Sequence, residues 1–264
     1  MTVITPEESR ARARRPGFAE RAHGVQLVLR REFRALFESA VAPIFLIAGL
    51  VLLGSLYMNE FFLAGRLDMT PLFDALAPLS VALLPAVTMR LWAEERRQRT
   101  FELWMTLPLT PWQIVLGKFA AALSLSALFL AGTLPIVAML LSLGAPDLGR
   151  ILAAYIGALC LSALLLSAGL FLSALSKDQI TAYLLAVLVG ALFLASGHPR
   201  VVAVLDGMAP DVGVGRTLAR HFSSLPHYES FLSGRIELGA LVHFLGWTTV
   251  FLAANASAVK RLRP

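Results

Sequence analysis

Six long stretches of this chain carry no charged side chain, and that confines the fold to helices that cross a lipid bilayer. The runs cover residues 39–59, 75–89, 119–146, 151–176, 179–199 and 238–259. A hydrocarbon core about 30 Å thick takes roughly 20 apolar residues of helix to cross. No water is available there for backbone N–H and C=O groups, so each segment must satisfy its own. The spans expected are 39–59, 75–92, 119–143, 151–176, 179–197 and 238–259. The second is extended through Leu91 and Trp92, with the Arg90 guanidinium reaching back to the headgroups while its stem stays apolar. With 57% hydrophobic and 15% charged residues, and a mean hydropathy of +0.72, an ordinary soluble domain is excluded.

Charge sorts by side. Of the 23 Lys and Arg residues, only Arg66, Arg150, Arg200, Arg216, Arg220 and Arg235 fall between an odd-numbered span and the next even one. All the rest flank the opposite side, which the positive-inside rule makes cytoplasmic, with both termini on it. The net charge of +6 therefore points to topology and anionic lipid, and away from nucleic acid. One cysteine, Cys160, lies mid-span, so no disulfide framework forms within the chain. The basic N-terminal stretch is too long, and the run after it too long, for a cleavable signal.

Between the spans, residues 1–17 read as a disordered basic N-terminus and 18–38 as an amphipathic interfacial helix. In the latter, Val25, Leu29, Phe33, Leu36 and Phe37 recur at helical spacing opposite Arg30, Arg31 and Arg34. Residues 93–118 form the main cytoplasmic loop. Glu94, Glu95, Arg96, Arg97 and Arg99 extend the second span as a solvated helix, with Glu95 and Arg99 in the favourable i, i+4 order. Phe101, Leu103, Trp104 and Leu107 then give an apolar side to a short helix that Pro108 ends, and Thr110-Pro111 starts the next helix as N-cap and N1. Residues 198–237 are an outer loop of partly interfacial helices broken at Pro226, and 260–264 a basic tail.

The series Glu94-Glu95, Thr100-Phe101-Glu102-Leu103, Leu107-Pro108-Leu109-Thr110 and Trp112-Gln113-Ile114-Val115-Leu116-Gly117-Lys118-Phe119 resembles the signature loop of type 2 ABC transporter permeases, closest to the gliding-motility (GldF-like) branch. Ser176-Lys177-Asp178-Gln179-Ile180 and His227-Tyr228-Glu229-Ser230 are similar to that branch too. Arg99 departs from it, standing where such permeases commonly carry Gly. The resemblance implies an all-α membrane protein of six transmembrane helices, with an N-terminal interfacial helix and a cytoplasmic coupling helix, in the bacterial cytoplasmic (inner) membrane. It further implies a permease that pairs with itself or a similar chain and docks on ABC ATPase subunits through Glu94, Glu95, Arg99, Thr100, Phe101, Glu102, Leu103 and Trp104. ATP and magnesium would sit on those partners, since Gly117-Lys118 lacks the rest of a phosphate loop and this chain has no ATPase site of its own. An exoplasmic auxiliary protein is also implied.

Asp, Glu, Lys and Arg are missing from all six runs, which argues against a proton-coupled carrier. Pro78, Pro85 and Pro135 would bend their spans and release carbonyls. Ser80, Pro85, Thr88, Thr181 and Tyr183 are the candidate pathway residues, because the second and fifth spans line the pathway in the family resembled. His243 and Asn255 read as interfacial and packing residues. Gly157, Ala158, Ser162, Ala163 and Ser167 offer a small-residue face for packing between chains. His221, His227 and Glu229 do not share a helical face and make a poor metal set. A membrane-embedded transferase or protease would need convergent His, Asp, Ser or Cys groups at depth, which the spans do not supply. Two readings remain, export of a solute or mechanical transmission of ATPase work to a surface or motility assembly.

Overall fold

A computed structural model describes residues 18–65, 67–97, 109–208 and 213–261. The expected disordered terminus and the apolar part of the connecting loop, including Arg99, Thr100, Phe101, Glu102, Leu103 and Trp104, lie outside the described residues. Within them the chain is all-α. Helix α1 is Phe18–Glu38, α2 Val41–Ala64, α3 Thr70–Arg97, α4 Pro111–Ala131, α5 Leu134–Leu143, α6 Leu148–Leu175, α7 Gln179–Ala195, α8 Pro199–Met208, α9 Val214–His221, α10 Leu225–Leu232 and α11 Leu238–Arg261. Five candidate spans stand alone, in α2, α3, the α4 and α5 pair, α6 and α11, and a sixth is the bent pair of α7 and α8.

Helix α6 is the axis of the bundle, packing against α3, α4, α7, α10 and α11. In its most apolar window 67% is buried, against 28% for the peripheral α2. Small residues permit this. Gly169 of α6 meets Thr88 of α3, and Gly157 meets Phe231 of α10, at separations that leave no room for a Cβ. Ser162 and Ser167 donate to the carbonyls of Ala158 and Leu164, each at 2.8 Å, so their hydroxyls need no partner helix. The small-residue face expected to meet another chain is thus consumed internally. Gly157, Ala158, Ser162 and Ser167 are all buried within the described residues, and Ala163 is half-buried.

The structure also redraws three boundaries. The third run is two helices, because the Gly132-Thr133 turn ends α4 and Pro135 sits in the first turn of α5, where its missing N–H is tolerated. The fifth is cut to the 17 residues of α7, after which the chain bends by 82° into α8. Pro226 opens α10 instead of breaking it, and the break falls at 222–224. There Ser223 Oγ and Ser224 N both donate to the Phe193 carbonyl, at 3.0 and 2.9 Å. Phe193, Phe222 and Trp247 stack beside them, fastening α7, the end of α9 and α11 together.

Candidate functional site

Residues 98–108 leave from the end of α3 and return at the start of α4, so the packing around those two ends determines what a load on that segment would move. The start of α4 is well defined. Thr110 Oγ1 accepts from Gln113 N at 3.4 Å while Thr110 N donates to Gln113 Oε1 at 2.7 Å, and Pro111 occupies the first turn. Pro111 and Trp112 lie beside Ser257 and Lys260, so α4 begins at the end of the bundle where α11 finishes.

Eight residues into α4, Lys118 is fully buried. Its Nζ donates to the Leu91 carbonyl and to Glu95 Oε1, both at 2.8 Å, and lies 3.2 Å from Glu32 Oε2. It also stands 4.8 Å from the centre of the Trp92 ring. Glu95 and Leu91 belong to α3 and Glu32 to α1, so one ammonium joins three helices. A buried ion of this kind is tolerated only where such bonds replace its lost hydration.

Two further contacts hold the same corner. Ser173 Oγ of α6 accepts from Trp92 N and Ala93 N, at 3.3 Å each, and donates to Met89 O at 3.1 Å. Helix α1 reaches α4 through Gly117, where a Cβ would fall 2.5 Å from Val28 Cβ. The close approach brings Glu32 within reach of Lys118. Sequence reasoning missed Lys118 by treating it as one more flanking cation; Glu95, expected to face Arg99, binds Lys118, and Arg99 lies outside the described residues. Glu94 lies 3.9 Å from Arg90.

The pathway candidates do not converge. Ser80, Pro85 and Thr88 are buried, and Thr88 Oγ1 donates to the Pro85 carbonyl at 3.3 Å. Thr181 serves the N-cap of α7, where Asp178 accepts from its N and Oγ1 at 2.8 Å each. Those bonds hold the Asp178 carboxyl below its ordinary pKa. Tyr183 OH donates to Ala82 O at 3.2 Å, linking α7 to α3. The open face of α3 is instead the stripe of Asp74, Ala77, Pro78 and Val81. Across a cavity of about 410 Å³ it meets Ala191, Leu194 and His198, and α10 adds Tyr228 and Glu229. Tyr228 closes that end by donating to the Phe73 carbonyl at 2.9 Å. Its burial pushes the phenol pKa up.

At the same end, His227 stacks on His243 with ring centres 4.3 Å apart, and His243 Nε2 lies 3.2 Å from Ser224 Oγ. Burial depresses the His227 pKa, opposed by a bond to the Arg220 backbone and by Glu237. Asn255, fully buried in α11, has no hydrogen-bond partner for its side chain among the described residues.

No curated protein matches the chain. Residues 69–228, more than half of its length, match the family described as ABC-2 family transporter protein. The match spans the whole of α3, its connection to α4, the axial helix α6 and every residue lining the cavity between α3 and α7 except Glu229. With its all-helical, multiply spanning fold, the chain belongs to the ABC-2 family of transporter membrane proteins.

Proposed function

We propose that this permease subunit drives export across the bacterial cytoplasmic membrane, with ATP and magnesium bound by separate ABC ATPase subunits. The observation that carries the reading is the Lys118 junction at the root of residues 98–108. ATP-driven approach of two ATPase subunits would press on that segment in each of two paired permeases. Its ends are rooted where Lys118 ties α3, α4 and α1, so the push becomes a concerted tilt of those helices. Helix α3 carries Pro78 and Pro85, whose missing N–H groups weaken its hydrogen-bond ladder. A tilt can bend it there and reshape the cavity it forms with α7. Glu94, Glu95, Arg99, Thr100, Phe101, Glu102, Leu103 and Trp104 make up the proposed docking surface, with both termini cytoplasmic.

Kinship with the GldF-like branch and an auxiliary protein on the outer face belong to the same proposal. The partner permease is either a second copy or a similar chain. The test is gentle purification of the full chain from its native membrane, with identification of proteins retained at stoichiometric level, then reconstitution into sealed vesicles. An ATP-binding cassette ATPase that comes with the chain and moves solute into inverted vesicles supports export. ATP hydrolysis without solute movement, with an outer protein retained, favours mechanical transmission. No ATPase under several detergents, with nucleotide present, overturns both.

A further inference from the structure

The cavity between α3 and α7 has a charge that its surroundings do not predict. The chain carries a net charge of +6, yet no Lys or Arg lines this cavity, and Asp74 and Glu229 do. Both carboxylates are exposed and close enough to interact electrostatically. Neither is in an ion pair among the described residues, whereas nearby Asp68 lies 3.9 Å from Arg150. The remaining wall is dominated by apolar residues such as Val81 and Leu194.

Two carboxylates thus meet at a hydrophobic surface, and the ring of His198 is the one basic side chain there. An anion would be repelled, and a neutral lipid would leave like charges facing each other. A bare metal ion has too few ligands, since no group of three His, Cys, Asp or Glu residues gathers among the described residues. A polyamine would waste the apolar wall. What satisfies every group is an apolar body bearing a cation with N–H donors.

We infer that this cavity binds an amphiphilic organic cation, its charged N–H group between Asp74 and Glu229 and its apolar part along α3 and α7. The inference rests on the permease reading for its meaning as cargo. The volume of about 410 Å³ lies in the range that small-molecule sites occupy.

The test uses the full chain in phosphatidylcholine nanodiscs, with binding followed by fluorescence anisotropy over empty discs. The probes are rhodamine 6G as a cation with N–H groups, a neutral BODIPY dye and anionic fluorescein. Rhodamine 6G binds at least about tenfold more tightly than either other dye, and the double change Asp74→Asn and Glu229→Gln removes about that factor while leaving the neutral dye unaffected. Ala191→Trp, which fills the cavity without touching a charge, abolishes rhodamine binding, so the inference does not depend on one variant folding. Equal binding of neutral and cationic dyes overturns it, as does rhodamine binding that ignores both changes or never exceeds that of empty discs. Retention of the ATPase is read on the same preparation. If the cation binds and no ATPase is retained, the permease reading fails and the site stands. If the ATPase is retained and the neutral dye wins, the ligand class alone falls.

Discussion

The ammonium of Lys118 lies 2.8 Å from Glu95 Oε1, across the gap between the two helices that the connecting segment joins. This pair makes the ends of α3 and α4 a single rigid corner. Lys118→Met removes the ammonium that buried Glu32 and partly buried Glu95 share and destabilises the protein by about 3–5 kcal/mol, whereas Glu95→Gln, which keeps an acceptor, does so less. Thermal unfolding of the two variants in one detergent checks the order. Midpoints identical to the parent's would mean that the pair contributes nothing.

The contact of α1 with α4 depends on a missing side chain. Gly117→Val drives a branched Cβ into Val28 and loses about 1–3 kcal/mol through overpacking. Leu116→Val, next to it and partly exposed, changes stability far less. Proteolysis within residues 18–38 should rise in the first variant and not in the second.

Docking is separable from insertion. Glu102→Arg, or deletion of Phe101 to Trp104, leaves the amount of chain in the membrane unchanged and lowers transport-coupled ATP hydrolysis about tenfold or more, the scale on which truncating an interface anchor acts. Membrane fractionation and ATPase assay of the co-purified complex measure both. Unchanged hydrolysis rules the docking assignment out.

Acid should weaken the fold through His227. Its folded pKa lies below its unfolded value of about 6.5, so the unfolded chain takes up the proton first. The contribution is complete above pH 6.5 and is lost as pH falls through the window down to the folded pKa. The bond to the Arg220 backbone and the charge of Glu237 offset part of the effect. His227→Phe flattens the dependence of the unfolding midpoint between pH 7 and pH 5. A slope as steep as the parent's would locate the acid sensitivity elsewhere.

The all-helical architecture was legible because a bilayer leaves a charge-free run no alternative to helix. Breaks inside those runs were not. Gly132-Thr133 and Ser196-Gly197 interrupt helices without interrupting hydropathy, and the 82° bend after α7 depends on Ser223, Ser224 and Phe222, brought there by the fold. Lys118 was hidden for a related reason. Its partners Leu91 and Glu95 lie 27 and 23 residues away, and a lysine at a span boundary reads as an interfacial anchor until burial is known. The pathway candidates were taken from the second and fifth spans, which line the pathway in the family resembled, yet Ser80, Pro85 and Thr88 are buried, Thr88 against Gly169 of α6. The carboxylates that face open space belong to Asp74, just before the second run, and Glu229, in what was read as a loop.

The shortness of α7 bears on the lipid as well as the protein. Its 17 residues rise roughly 25 Å, less than the hydrocarbon thickness of about 30 Å. Lipids beside it must compress or tilt to meet the turn into α8, at a cost of fractions of a kcal/mol for each ångström of mismatch. The leaflet is therefore dimpled next to the mouth of the α3 and α7 cavity, and acyl-chain length becomes a variable to which this protein responds.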